Sequence, residues 1–515
     1  MPETAPQLDP RRWKALIFIA LAQLMVVLDA TIVNIALPHA QDALDISEAS
    51  KQWVITAYAL AFGGLLLFGG RLADLWGRKQ TFIVGLAGFA AASALGGAAV
   101  NPAMLFGSRA LQGVFGAMLA PAALSLLAVM FTDTKERAKA FGIFGAIAGG
   151  GGAVGLILGG VLTQYMNWRW TFFVNIPFAV IAAAGAILVI REPSESRNPA
   201  KLDIPGVILA TTGLVALVYG FTRAAEEGWS DGLTIGMFVA SGLLLIAFVF
   251  VESTVKAPLL PLRVVTERNR GGAYASLGLA IIGMFGLFLF LTFYLQNLRG
   301  YSPVKTGLAF LPMIVGMIIG STQIGTRLMT RVAPRLLMAP GFLAAAVGML
   351  MLTQIDLDTS YPALILPAFL IMGLGMGTAF MPAMSLATHG VQPQDAGVAS
   401  AMVNTSQQVG GAIGTALLST IATSATTAYA SSHKGAVEAA FGKSPADGAK
   451  AAELMQAQAM VHGFSVAIWW AVGILLFAAA VVVVFINAGR PDLGQTVAGS
   501  GDGEGQDAPI PVMAH

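Results

Sequence analysis

Residues 14–37 read KALIFIALAQLMVVLDATIVNIAL. Beyond Lys14 the only charge is Asp29, and the run slightly exceeds the ~20 apolar residues that a helix needs to cross the hydrocarbon core of a bilayer. Arg11, Arg12 and Lys14 in front of it resemble the start of a signal peptide. The run has the length of a full span and carries an acid, so it reads as an uncleaved first transmembrane helix. The rest of the chain repeats this pattern. Of 515 residues, 56% are hydrophobic and 11% charged, with a mean hydropathy of +0.75, whereas a soluble protein carries roughly a quarter charged residues. Lipid accepts that much apolar surface and water does not.

Scanning for further runs of this kind predicts spans near 14–37, 52–70, 81–100, 103–126, 138–163, 169–191, 203–221, 232–251, 271–295, 305–327, 335–354, 362–386, 398–422 and 463–487, fourteen in all. An even number puts both termini on one side. On that topology, 20 of the 29 Lys and Arg residues fall on the side of the termini and 8 in the opposite loops, and positive charge stays in the cytoplasm. Both termini are therefore expected in the cytoplasm. The polar, Ala- and Ser-rich segment 423–462 becomes an external loop with possible helical stretches. The tail 488–515, rich in Gly, Pro and Asp, is expected to be disordered.

An internal duplication is visible. Gly69-Gly70-Arg71-Leu72 after the second span reads like Gly325-Thr326-Arg327-Leu328 after the tenth, and basic residues follow both. Cytoplasmic loops gather Gly and Arg in any case, so the pair has a bland reading too. As a duplication it divides the chain into a cytoplasmic start 1–13, a six-helix half 14–191, two inserted helices 203–251 and a second six-helix half 271–487. Duplicated halves around a central site are the architecture of alternating-access transporters.

Several chemistries are excluded. The net charge of +2 is too small and dispersed for a nucleic-acid surface, and the absence of cysteine removes disulfides and thiolate chemistry. The five histidines are scattered, so no metal site is readable, and no nucleophile–base set or phosphate loop points to an enzyme. A channel would show a repeated filter or ring of like charge.

Only Asp29 and Arg109 lie well inside predicted spans, each at a cost of several kcal/mol unless paired or hydrated. By helical rise both fall in the outer half of the membrane, where they can meet. One reading is a carboxylate balanced between desolvation and a neighbouring cation, able to exchange a proton as a cavity opens and closes. The other is a permanent pair that fixes packing. Glycines crowd the fifth span at 149–152, Gly155, Gly159 and Gly160, and the thirteenth at Gly410, Gly411 and Gly414. Small residues let helices approach and slide, so these runs point to a moving interface or to tight static packing.

Gln23, Asn34, Tyr58, Gln112, Asn175, Asn404, Gln407 and Gln408 are polar positions in apolar spans that either bond across helices or line a wet cavity. Spans nine to fourteen contain no Asp or Glu. A substrate cavity is thus expected to work through Trp53, Tyr58, Phe288, Phe293 and Tyr294 and through amides such as Asn34, Gln112, Asn404 and Gln408. Such a lining suits neutral or monocationic lipophilic compounds better than dications.

Leu28-Asp29-Ala30-Thr31-Ile32-Val33-Asn34-Ile35-Ala36-Leu37-Pro38, Gly70-Arg71-Leu72-Ala73-Asp74-Leu75-Trp76-Gly77-Arg78-Lys79 and Arg109-Ala110-Leu111-Gln112-Gly113 resemble signatures of the major facilitator superfamily, in its fourteen-span drug:proton antiporter branch (EmrB/QacA type). Gly155-Leu156-Ile157-Leu158-Gly159-Gly160 is similar to the antiporter motif, with leucine in place of the usual proline. The segments 168–177 and 408–414 also resemble this branch, and Leu75 stands where an arginine is common. The resemblance spans about residues 14–487. It implies an all-α bundle of two six-helix halves plus two inserted helices, in the cell membrane, exchanging external protons for internal drug. It further implies that Asp29 binds the proton, that Arg109 relays or tunes it, and that Asp74, with Arg71, Gly77 and Arg78, latches the cytoplasmic side. Gly155, Gly159 and Gly160 would form the hinge. The proton gradient is then the energy source, no cofactor is needed, and a monomer is expected. A dedicated exporter of one lipid or endogenous metabolite is the alternative within the same fold.

Overall fold

The computed structural model describes residues 10–46, 53–190, 202–329, 331–434 and 445–489. Among them the chain is helical without a strand. The long helices are α1 (Arg12–Ala43), α2 (Trp53–Trp76), α3 (Arg78–Gly97), α4 (Pro102–Met130), α5 (Thr134–Tyr165), α6 (Asn175–Val189), α7 (Ile204–Glu226) and α8 (Gly232–Thr254). They continue with α9 (Arg268–Phe293), α10 (303–329, broken at Phe310 and by π-helical Gly320–Gly325), α11 (Arg335–Leu352), α12 (Leu366–Thr388), α13 (Ala396–Ser432) and α14 (Pro445–Phe485). Among the described residues twelve helices are long and apolar enough to cross a membrane; α5 and α9 run in the same bundle beside them.

Helix starts follow local chemistry. Asn101, Asp133, Asp203, Asp231 and Glu267 each accept a backbone N–H of the first turn that follows, satisfying donors that have no partner within the helix. Gly77, at φ +104°, is the single non-helical residue between α2 and α3, a conformation that only glycine adopts without strain.

The duplication is visible in the packing. Where α5 meets α1, a Cβ on Gly159 would lie 2.8 Å from Ile32 Cγ1; where α13 meets α9, one on Gly414 would lie 2.6 Å from the Ile282 carbonyl oxygen. Likewise α2 meets α4 at Gly69 against Ala117, and α10 meets α12 at Gly316 against the Leu370 carbonyl. Each half thus seats equivalent helices through glycine at backbone-to-backbone distance. The inserted pair α7–α8 is joined by a Ser241 hydroxyl that donates to the Gly213 carbonyl at 2.9 Å, and α7 lies over α2 at Gly64. The outer face of α8 leaves Leu243, Ile246 and Phe250 65–70% exposed, a surface suited to hydrocarbon.

One expectation changes. The segment Arg71–Asp74, read as a water-facing loop, lies in the last two turns of α2, and both residues are buried, Asp74 against the start of α13 and Arg78. Helical stretches do occur in 423–462, over 423–432 and 445–462, as α13 and α14 run on beyond the apolar spans. Alanine-rich composition carries the helices past the point where hydropathy falls. Residues 435–444, and the tail from 490, lie outside the described residues.

Candidate functional site

Asp29 is fully buried on α1 and receives three donors. Arg109 Nη1 of α4 donates to Asp29 Oδ2 at 2.6 Å; Gln112 Nε2 and Asn175 Nδ2 donate to Oδ1, each at 2.8 Å. Arg109 and Gln112 share a helix face by their i, i+3 spacing, and Arg109 Nη1 also reaches Gln112 Oε1 at 2.7 Å. Arg109 Nε donates to the Val54 carbonyl of α2 at 2.9 Å, and its guanidinium lies 4.4 Å from the centre of the Tyr58 ring. Ser93 of α3 accepts from Gln112 at 2.7 Å and from Asn175 at 3.3 Å. Side chains from five helices, α1, α2, α3, α4 and α6, therefore neutralise and orient one buried carboxylate.

Arg109 and the two amide donors leave neither Asp29 oxygen without a partner. No solvent reaches Asp29 in this conformation. The glycine face of α5 lies next to it. A Cβ at Gly155 would collide with Thr31 Oγ1 and lie 3.3 Å from the Leu28 carbonyl, while Gly151 approaches Val27 at 2.9 Å. These three α1 residues bracket Asp29. Gly160, by contrast, faces Val304 of the second half.

A second cluster joins the halves. Asp74 Oδ1 accepts from Gly397 N at 2.9 Å and Oδ2 from Val398 N at 3.2 Å, so an acid of the first half caps the start of α13 in the second. Arg78 Nη2 donates to Asp74 Oδ1 at 3.2 Å, and its Nε to Ser125 Oγ at 2.6 Å. Gly70 lets α2 approach the Gly397 carbonyl and Ala401. Arg71 is buried, with Nε and Nη1 lacking a hydrogen-bond acceptor. On the same end of the bundle, Ser321 Oγ donates to the Gly142 carbonyl at 2.9 Å and Arg137 Nη2 to Thr388 Oγ1 at 2.7 Å. The two halves are thus fastened together at the end that carries the α2–α3 turn.

The residues expected to line a cavity do not assemble as one surface. Gln112 and Tyr294 are buried at 0% and 1% exposure and offer no surface to a solute in this conformation; the Tyr294 hydroxyl donates to the Asp356 carbonyl at 2.7 Å. Tyr58 stacks on Phe62 beneath Arg109, and Phe288 stacks on Phe310. Trp53 tilts against Tyr219 of α7, and Phe293 meets Phe464 edge-on. Asn404 and Gln408 are half-buried on α13, with Asn404 Nδ2 bonded back to the Ser400 carbonyl at 2.9 Å and the Gln408 Cβ facing the Gly63 position of α2. The side chain of Asn34 lies outside the described residues.

Sequence reasoning missed Ser93 altogether and gave Asn175 no part in the charge cluster. A polar residue in an apolar span is the only signal for either. Among the described residues no cluster of three or more His, Asp or Glu could hold a metal ion.

Comparison with known proteins places these features in context. The family model described as Major Facilitator Superfamily matches residues 19–415. The chain is 52% identical over 482 residues to the puromycin resistance protein pur8 of Streptomyces alboniger, covering 93% of this chain and 92% of that protein. It is 38% identical to the cephamycin export protein CmcT of Amycolatopsis lactamdurans, covering 82% and 88%. The human organic anion transporter MFSD10 (TETRAN) is similar in structure, with a TM-score of 0.59 at 15% identity over 92% of this chain and 100% of that one; at that identity only the fold is shared.

Proposed function

Since the chain belongs to the major facilitator superfamily, we propose that it exports neutral or monocationic lipophilic small molecules across the cell membrane by exchanging them for protons. It is an efflux transporter and not an enzyme. In this reading fourteen helices span the membrane with both termini in the cytoplasm, the chain acts as a monomer, and the proton gradient is the energy source without a cofactor. The observation that carries it is the buried Asp29, held by Arg109, Gln112 and Asn175.

The cycle follows from competition for that carboxylate. A proton from outside neutralises Asp29, frees Arg109 and loosens α1 against the glycine notch of α5. Substrate leaves as the halves rearrange. Release of the proton toward the cytoplasm restores the ion pair. Asp74 holds the cytoplasmic ends together until its grip on the start of α13 is broken. With the second half's spans free of Asp and Glu, the cavity has no anion to spare for a second positive centre on the substrate. Relatives named for single antibiotics favour a second reading in the same fold, a dedicated exporter of one antibiotic-like metabolite.

Transport in proteoliposomes under an imposed pH gradient tests both. Matched neutral, monocationic and dicationic dyes are compared in the wild type and in Asp29→Asn, which keeps the polarity but cannot cycle a proton. Gradient-driven export of the first two classes that disappears in Asp29→Asn is expected. Undiminished export in Asp29→Asn places coupling elsewhere, efficient dication export overturns the charge limit, and transport of one compound class alone favours the dedicated exporter.

A further inference from the structure

The inserted helices begin and end on an acid. Asp203 caps α7 and Glu252 lies in the last turn of α8, and both are at least 95% buried. One oxygen of each is satisfied by backbone: Gly206 N donates to Asp203 Oδ1 at 3.0 Å and Leu260 N to Glu252 Oε2 at 2.9 Å. The other two, Asp203 Oδ2 and Glu252 Oε1, receive no donor from any other group. They point at the same place beside Gly206, where an added Cβ would collide with Asp203 Oδ2 and lie 2.5 Å from Glu252 Oε1. Two acceptors bond to each other only through a hydrogen.

The charges nearby do not answer the pair. Lys256, in the connection after α8, is exposed. Just before α13, Asp395 is held by Arg263 at 2.6 Å. On α2, Asp74 takes Arg78 and the start of α13, and the Arg71 charge acts on Asp74. A metal ion would need more ligands than two free oxygens, and no third acid or histidine joins them among the described residues.

We propose that Asp203 and Glu252 form a second proton-binding site, separate from Asp29, in which one proton is shared between Asp203 Oδ2 and Glu252 Oε1. Two carboxylates in contact and out of water do not both ionise, so the pair carries one negative charge and one hydrogen bond. That bond closes the inserted hairpin on itself. It also has a mechanical reach. Leu259 and Leu260, next to the N–H that Glu252 holds, pack in one apolar cluster with Leu67 of α2 and Val398 of α13, and Val398 N is a donor to Asp74. Loss of the proton sets two negative charges against each other and loosens the 255–261 connection where it braces the latch. On the proposed export cycle, on which this last step alone rests, the site reports the proton activity of the latched side to the moving halves.

The test uses the purified full-length chain in nanodiscs and infrared difference spectra across a pH titration. A deuterium-sensitive C=O band of a protonated carboxyl is expected at neutral pH in the wild type and in Asp29→Asn, and its loss in Glu252→Gln and in Asp203→Asn. Glutamine at 252 can still accept from Leu260 N and can donate to Asp203, so folding is retained in the more informative variant. A band absent from the wild type, or unchanged in both amide variants, overturns the proposal. A measurement on the wild type alone guards against misfolded variants: thermal stability falls as pH rises and the shared proton is lost, and a flat profile counts against the site. Failure of gradient-driven export with this band intact would remove the antiport reading and leave the proton site standing.

Discussion

Replacing Asp74 by asparagine isolates the contact between the halves. The carboxylate accepts Gly397 N at 2.9 Å and Val398 N at 3.2 Å at the start of α13, with Arg78 beside it. An amide keeps one oxygen for one of these N–H groups and turns an NH2 toward the other, so one charge-assisted bond worth about 1.5–3 kcal/mol disappears. The attraction between the negative charge and the helix start, roughly 0.3–1 kcal/mol, goes with it. A combined loss of about 2–4 kcal/mol shifts the latched-to-open ratio about 30- to 700-fold toward open. Arg78 retains Ser125, so the fold of the first half is preserved. The chain has no cysteine, which permits spin labels at Lys135→Cys and Gln392→Cys, exposed positions on opposite halves at the latched end. Pulsed dipolar spectroscopy should show a longer-distance population growing in Asp74→Asn, with slower turnover. An unchanged distance distribution in a well-folded variant would refute the reasoning, since the N–H contacts could then not be what holds this end closed.

Gly155→Leu should abolish gradient-driven export at normal expression, because the side chain enters space held by Thr31 and the Leu28 carbonyl and overpacks the α1–α5 contact by about 1–3 kcal/mol; Gly236→Ala, which meets nothing within 4 Å, is the neutral control in the same flux assay. At the start of the chain Arg12 Nη2 donates to Glu136 Oε1 at 2.7 Å, and this hydrogen bond holds the Glu136 carboxyl below its usual range. A lowered carboxyl gives stability that is present at neutral pH and lost as pH falls through the folded-state value. Thermal unfolding between neutral and acid pH should therefore lose part of its acid sensitivity in Glu136→Gln, and an identical profile would remove the contribution.

Asp29 and Arg109 were legible because an ion in an apolar run has so few explanations, and the structure brings them to 2.6 Å. Their companions were harder to see. Ser93 and Asn175 are uncharged, and nothing along the chain says that α3 and α6 turn them to the same acid. Asp74 was legible as half of a contact, but its partners are the backbone N–H groups of Gly397 and Val398, which every residue but proline possesses and no side chain announces. The end of α2 was misread for a related reason. Arg71, Asp74 and Arg78 lower the local hydropathy as a water-facing loop would, yet all three are at most 2% exposed.

The acid pair of the inserted hairpin extends the same argument. Asp203 opens one predicted span and Glu252 follows the end of the next, positions where carboxylates ordinarily mark the return to water. Hydropathy is summed along the chain, whereas desolvation acts in space: the turn of Leu259 and Leu260 over Glu252 and the approach of α2 and α13 cover a boundary that a span count leaves exposed. Charges at span ends therefore become informative once packing shows which are covered. In this chain Asp74 on α2 and Asp203 and Glu252 on the inserted hairpin are covered, and Val398, which donates to Asp74, shares an apolar cluster with Leu259 and Leu260 beside Glu252. On the proposed proton site, a proton gained or lost at the hairpin would act through Leu259 and Leu260 on the cluster that includes Val398, whose N–H donates to Asp74.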